Sequence, residues 1–215
     1  MAIRWRCTLC GECCKQYIPL VLPEDVLRIQ YTLKLPLSAF VAFYSLEDFD
    51  GAVEESDERF FRTRHGKFAL GLARRMQPDG REGCVFLRNN ICSIHPFKPL
   101  ICRQYPFEPQ DPENPEGPFT LMENPCFGNH AQDEIVDEAP IRRSYQEFVV
   151  KHEAYVKKIQ EWNQDPRSWE SDIEDFLSFV GLGGDSSAQQ NGKEVIAVAK
   201  PGSPKPKPGA KPKPK

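Results

Sequence analysis

No stretch of this 215-residue chain comes near the ~20 consecutive apolar residues that span a bilayer, and the longest apolar run, around positions 40–46, is broken by Tyr44 and Ser45. A helical membrane anchor is not expected. The opening Met1-Ala2-Ile3-Arg4-Trp5-Arg6 has neither an apolar core nor a small-residue cleavage site of the kind that directs export, so the expected location is cytoplasmic. Signatures of catalysis are missing too. There is no glycine-rich strand-to-helix loop for a nucleotide, no HExxH helix, no Ser-His-Asp context and no pair of catalytic carboxylates in a motif. Internal repeats are absent, which excludes a solenoid. Histidine is scarce at four residues. His65 and His130 sit in polar turns and His152 on a helix face, and His95, three residues after Cys92, is read as locally structural.

Cysteine is what the chain has instead, eight in all. Cys7, Cys10, Cys13 and Cys14 crowd the N-terminus, and Cys84, Cys92, Cys102 and Cys126 follow far downstream. Two-residue gaps let one turn of backbone aim several thiolates at a single point, as zinc ribbons and iron–sulfur loops require. Gly11 permits positive φ where that loop must wrap. An even cysteine count also suits a disulfide framework, but that needs an oxidising compartment, and the adjacent Cys13 and Cys14 are too close along the backbone for an unstrained bridge. Metal ligation is the better reading. Zinc would take the thiolates as two closed four-sulfur sites. The Cys-x-x-Cys-x-x-Cys run also matches the first three ligands of a bacterial ferredoxin loop, although Cys14 breaks the usual continuation. Spacing favours an iron–sulfur cluster over zinc by a narrow margin.

Charge is unevenly distributed. The formal net charge is −3, but Lys200, Lys205, Lys207, Lys211, Lys213 and Lys215 contribute six positive charges with no acid among them, and subtracting these leaves −9 for residues 1–199. A body this acidic repels phosphate backbones, so nucleic-acid binding is disfavoured. The Lys/Pro-rich end cannot bury apolar surface and is expected to be disordered, at most a contact for an acidic surface or protein partner. A Gly/Ser-rich bridge beginning at Gly181 leads into it. The expected organisation is therefore one domain over 1–181 and a flexible tail over 182–215.

Along the domain, Pro23, Glu24 and Asp25 predict a helix start, with Pro36 as its stop, and Ser38 caps a second short helix running to Phe43. Residues 60–75 read as two strands around Gly66, with a further turn at Asp79-Gly80. A hairpin turned at Asn89-Asn90 would carry Cys84 on one arm and Cys92 on the other. Prolines 96, 99 and 106 confine Cys102 to short helical turns. The last third is helical: Ile141, Tyr145, Phe148, Val149, His152, Tyr155, Val156, Ile159 and Trp162 recur mostly at steps of three and four behind Pro140, and a second helix spans about 169–180 with Gly181 as its C-cap. The fold class is α+β, a small cysteine-rich domain of short antiparallel strands with C-terminal helices.

The N-terminal cysteines, Gly83-Cys84-Val85-Phe86-Leu87, Cys92, Lys98-Pro99 and Cys102-Arg103-Gln104-Tyr105-Pro106 occur together in one order. In this joint pattern the chain resembles the CxxCxxCC zinc- or iron-chelating domain family, the YkgJ-like cysteine-cluster proteins, with flagellin lysine N-methylase as a more distant relation. The resemblance runs from about Cys7 to Gly128. It implies metal binding by Cys7, Cys10, Cys13, Cys14, Cys84, Cys92 and Cys102, with Cys126 as a trailing cysteine. Two departures stand out: Lys98 replaces the family's arginine, losing a planar fork and keeping a point charge, and the turn after Cys126 is shortened. Arg103 is a candidate donor to thiolate or cluster sulfur.

Three functions follow as expectations. The first is a metal-binding cysteine-cluster protein without its own catalysis, holding an iron–sulfur cluster or zinc. The second, implied only by the distant relation, is a protein-modifying enzyme of the lysine N-methylase kind. The third is a zinc-stabilised interaction module whose tail recruits a partner.

Overall fold

A computed structural model describes residues 3–183 except 50, 52, 55, 112, 113, 115 and 123–133. Cys126 and the tail beyond Gly183 therefore lie outside the described residues. The architecture is α+β, with short antiparallel strands and helices gathered at the C-terminal end. Helix α1 (Glu12–Gln16) is a single turn carrying Cys13 and Cys14, and α2 (Pro23–Leu33) follows. Three strands, β1 (Val41–Tyr44), β2 (Phe61–Thr63) and β3 (Gly66–Leu72), form the largest sheet in the order β1-β3-β2. Three two-stranded ladders come next: β4 (Arg74–Met76) with β5 (Glu82–Cys84), β6 (Leu87–Arg88) with β7 (Ile91–Cys92), and β8 (Phe107–Pro109) with β9 (Phe119–Leu121). Helix α3 (Leu100–Gln104) lies between the last two, and α4 (Glu138–Gln164) and α5 (Ile173–Phe179) close the described chain.

The expected helix through Phe43 is corrected. A 3-10 turn at Leu37–Ala39 ends at Phe40, and Val41, Ala42, Phe43 and Tyr44 pair with Leu72, Gly71, Leu70 and Ala69. All four residues of β1 are buried, and β-branched and aromatic side chains suit a strand covered on both faces. The expected start of α2 at Pro23 is observed. Asp25 carries the N-terminal signal: in the first turn, its carboxylate accepts the N–H of Leu22 at 3.5 Å.

Helix α4 begins at Glu138, where Asp137 accepts the Ala139 N–H at 3.0 Å, and Pro140 lies in its first turn. Its stripe of Tyr155, Ile159 and Trp162 joins Val26, Ile29, Phe40, Phe43, Phe61 and Phe176 in the main core. The rings of Phe61 and Phe176 stack at 3.6 Å between centroids. Helix α4 also completes the open edge of β2. Asn163 accepts the Arg62 N–H at 2.8 Å and donates to the Phe60 carbonyl at 2.9 Å, and Trp162 Nε1 donates to the Arg62 carbonyl at 2.6 Å. These side chains satisfy an edge that would otherwise be a template for pairing. Behind α5, Gly181 adopts φ +86° and Leu182 donates its N–H to the Leu177 carbonyl at 2.7 Å, a Schellman-type stop. Leu182 is buried in the main core. No helix among the described residues is long and apolar enough to cross a membrane.

Candidate metal centre

Gly11 sets the direction of the N-terminal cysteine segment. Its φ is +76°, and an added Cβ would stand 2.8 Å from the Asn90 carbonyl oxygen and 3.0 Å from Leu87 Cδ1. A side chain there would be strained by conformation and by contact, so glycine lets the loop lie directly on the β6–β7 turn. Asn89 and Asn90 both take left-handed conformations, φ 48° and 64°, which close that two-residue hairpin. Leu87 is the residue that pairs with Cys92, while Cys84 pairs with Arg74 in the neighbouring ladder. The expected single hairpin with Cys84 and Cys92 on its two arms is thus two adjacent ladders. The apolar run over 84–87 breaks between them because Val85 bonds back to the Ala73 carbonyl at 2.8 Å.

Five cysteines from three chain segments meet electrostatically: Cys13 and Cys14 on α1, Cys84 and Cys92 at the ends of β5 and β7, and Cys102 on α3. The Cys13 and Cys14 sulfurs are 4.0 Å apart, and Cys14 also hydrogen-bonds to Cys92. The contact with Cys14 is the largest influence on both neighbours, lowering the pKa of Cys13 to about 7 against the cost of burial and that of Cys92 to about 6, and its single S–H serves one of them at a time. Those two contacts and burial push Cys14 itself strongly up. Burial pushes Cys84 to about 11 and holds Cys102 far above the ordinary thiol range. The positive charge of Lys98 favours thiolates at Cys13, Cys92 and Cys102. All seven described cysteines are free thiols.

Cys7 is exposed, with its sulfur accepting the Leu9 N–H at 3.4 Å, and Cys10 is half-buried. Among the described residues no three His, Cys, Asp or Glu side chains already stand as a closed metal-holding set. Donor chemistry and spacing nevertheless fit a thiophilic ion. Zn–S bonds of about 2.3 Å in a tetrahedron place sulfurs roughly 3.8 Å apart, close to the Cys13–Cys14 separation. His95 lies exposed on a 3-10 turn, with its pKa lowered by burial and by Lys98.

Cationic and acidic side chains brace the thiol-bearing segments, and most of them carry no motif by which sequence could single them out. Arg74 donates to the carbonyls of Lys15 and Tyr17 at 2.6 and 2.7 Å, capping the C-terminal end of α1, and also to that of Glu82. Arg75 holds the Leu87 carbonyl at 2.9 Å. The side chain of Lys15 is buried and pairs with Asp79 at 2.7 Å, while Arg81 forks onto both oxygens of Glu12 at 2.8 Å each. On the other side Asp25 accepts the Leu100 N–H, and Arg28 pairs with Asp25 and donates to the carbonyls of Phe97 and Lys98. Arg103, expected to face sulfur, directs its Nε to the Lys98 carbonyl at 3.0 Å. The one signal for this bracing is the run of charged residues around the Asp79-Gly80 turn, which by itself specifies only the turn.

No curated protein and no solved structure matches the chain. The model of one family, CxxCxxCC, described as "Putative zinc- or iron-chelating domain", matches residues 6–127, a span that begins beside Cys7 and takes in all five cysteines of the central group. With its cysteines gathered over more than half its length, this chain belongs to the CxxCxxCC family.

Proposed function

We propose that the protein is a metal-binding cysteine-cluster protein whose centre is built on Cys13, Cys14, Cys84, Cys92 and Cys102, with Cys7, Cys10 and Cys126 supplying further thiolates. The observation that carries this reading is the sulfur group around Cys14, which has the Cys13 sulfur at 4.0 Å and Cys92 from a segment far along the chain as its neighbours, with Cys13 and Cys92 acidified to about 7 and 6. Thiolate is the form a metal takes, so acidified thiols lower the proton cost of binding. An iron–sulfur cluster is favoured over zinc because the N-terminal spacing follows the first three ligands of a ferredoxin loop. When bound, such a cluster supplies electron storage and transfer. The chain's own residues would hold it, with Lys98 offsetting the negative charge of the sulfurs. Free thiols of this kind persist in a reducing compartment, which supports a cytoplasmic location.

The test is anaerobic purification followed by visible absorption, metal analysis and acid-labile sulfide. A brown protein with iron and sulfide supports the cluster. A colourless protein with stoichiometric zinc transfers the reading to a structural zinc site. Absence of both metals, or retention of full metal content in Cys92→Ser and Cys14→Ser variants, overturns the centre.

A further inference from the structure

Two of the central thiols are neighbours in space although they lie far apart along the chain. The backbone explains how Cys14 comes to touch Cys92. The Cys14 N–H donates to the Gly11 carbonyl at 3.0 Å, which fixes Cys14 one turn beyond the glycine. Gly11 in turn lies on the β6–β7 turn, where an added Cβ would stand 2.8 Å from the Asn90 carbonyl oxygen. Two residues further on, Cys92 pairs with Leu87 in the ladder that this turn closes. Cys14 and Cys92 both pack against the main core, and each is half-buried, so each keeps part of its surface in solvent.

The other sulfur beside Cys14 is that of Cys13, at 4.0 Å, but a bridge between sequence neighbours is strained. Consecutive Cα atoms are about 3.8 Å apart, short of the usual span of a disulfide. Cys84 is buried. Among these contacts, Cys14 with Cys92 is the pair that can be joined without a vicinal ring.

We propose that Cys14 and Cys92 form a redox pair, which a hydroperoxide converts to a reversible disulfide that locks α1 to β7. One thiolate attacks the peroxide bond, becoming a sulfenic acid as that bond breaks and an alcohol, or water from hydrogen peroxide, departs. The other sulfur then attacks the sulfenic sulfur, forming the S–S bond and expelling water. The two sulfurs give up two electrons to the peroxide oxygens, and the two thiol protons leave in the released hydroxyl groups. A dithiol reductant reverses the change. The bridge closes a long loop, the kind of cross-link that most restricts the unfolded chain. It needs only the sulfur contact. Its consequence for an ion rests on the metal-binding reading: two bridged sulfurs no longer offer thiolate, so oxidation releases the metal while the disulfide takes over as the clamp between the two segments.

The test treats purified full-length protein, as isolated, with hydrogen peroxide in small excess, blocks the remaining thiols with iodoacetamide and maps peptides without reduction. The Cys14–Cys92 link is expected as the principal cross-link, with the whole protein lighter by two hydrogens until dithiothreitol restores it. Metal captured by a chromogenic chelator should rise in step with the link. Hydrogen exchange of the oxidised protein in chelator should keep the protection of 7–16 and 82–104, the segments that hold these two cysteines, and lose it once dithiothreitol is added. A link that forms in protein found to carry no metal would support the redox pair and remove the metal reading alone. A principal cross-link that joins Cys13 to Cys14, Cys7 to Cys10 or any other pair would overturn the proposal. Sulfinic acid without a link, or thiols that survive the peroxide unchanged, would overturn it as well.

Discussion

The carboxylate of Asp25 accepts the backbone N–H of Leu100 at 3.2 Å, joining the first turn of α2 to the first turn of α3. Asp25 is 1% exposed and also serves Leu22 and Arg28, so one side chain fixes where the Cys102-bearing helix starts. Burial is the larger influence on its pKa and raises it, while Arg28 and the two backbone donors act the other way. Removing it strands two N–H groups and leaves the Arg28 guanidinium with the Phe97 and Lys98 carbonyls alone. Asp25→Ala is expected to cost about 3 kcal/mol, the low end for breaking a buried pair because Arg28 keeps some solvent contact. Urea unfolding checks this, and a change under about 1 kcal/mol would contradict it.

Thiol reactivity in metal-free protein should follow environment. Alkylation needs thiolate, so Cys92 and Cys13, with pKa values near 6 and 7, are expected to reach half their limiting rates near those pH values, whereas Cys84, near 11, stays slow throughout the neutral range. Peptide mapping after timed iodoacetamide pulses resolves the order. Cys84 modified ahead of Cys92 would refute it.

Acid should loosen the cysteine turn. Glu12 and Asp79 both have folded pKa values below their ordinary ones, because Arg81 bonds Glu12 and Lys15 bonds Asp79. A lowered carboxyl pKa means the folded state binds protons less readily than the unfolded one. The stabilisation is therefore complete above the ordinary values of 4.5 and 3.8 and is lost as pH falls through the folded ones. The melting temperature of wild type should fall between pH 5 and 3 more steeply than that of Glu12→Gln/Asp79→Asn. Parallel profiles would show that this network contributes nothing.

Metal removal should be a local event. From cysteine arithmetic alone, loss of the ion is expected to unfold the N-terminal half, since structural zinc binding at roughly 10–16 kcal/mol rivals a domain's whole stability. The main core, however, unites α2, β1, β2, β3, α4 and α5 through Phe40, Phe43, Phe61, Trp162 and Phe176, none of which is a ligand. Hydrogen exchange of chelator-treated protein should show lost protection in 7–16 and 82–104 and retained protection in β3 and α4. Loss of protection in β3 with retention in α4 would favour unfolding of the whole N-terminal half, and global loss would contradict both.

The tail and the body should separate at Leu182. Truncation after Gly183 removes a Gly/Ser/Gln-containing bridge, the short run Val195-Ile196-Ala197-Val198 and the Lys/Pro-rich end, and is expected to leave melting temperature and metal content unchanged. Truncation after Val180 deletes a buried leucine and the Gly181 stop, and should cost about 2–3 kcal/mol. Identical melts for the two would place the boundary elsewhere.

Helix signals that are local are legible in the amino-acid sequence. Pro23 with Asp25 marks α2, and the three-and-four stepping of Ile141 to Trp162 marks α4, because both depend on neighbours within a few residues. Strand β1 escapes such a reading for the opposite reason: Val41 to Tyr44 is defined by partners at 69–72, which no local window contains. The same distance hides the bracing of the centre. Cysteine clustering identifies the thiols, but Arg74 reaching Lys15 and Asp25 reaching Leu100 are contacts across 59 and 75 residues.

The Asn89–Asn90 turn carries one more implication, for how this sequence can change over time. Leu87 faces Cys92 across a ladder only two residues deep, and the same turn is the floor on which Gly11 rests. Strand side chains alternate faces at every step, so one residue gained or lost between Leu87 and Cys92 would turn the thiol away from Cys14 and lift the N-terminal loop together. Substitution is open to this hairpin where length is not: the interval from Leu87 to Cys92 works as a ruler, and a drifting lineage can repaint it but cannot recut it.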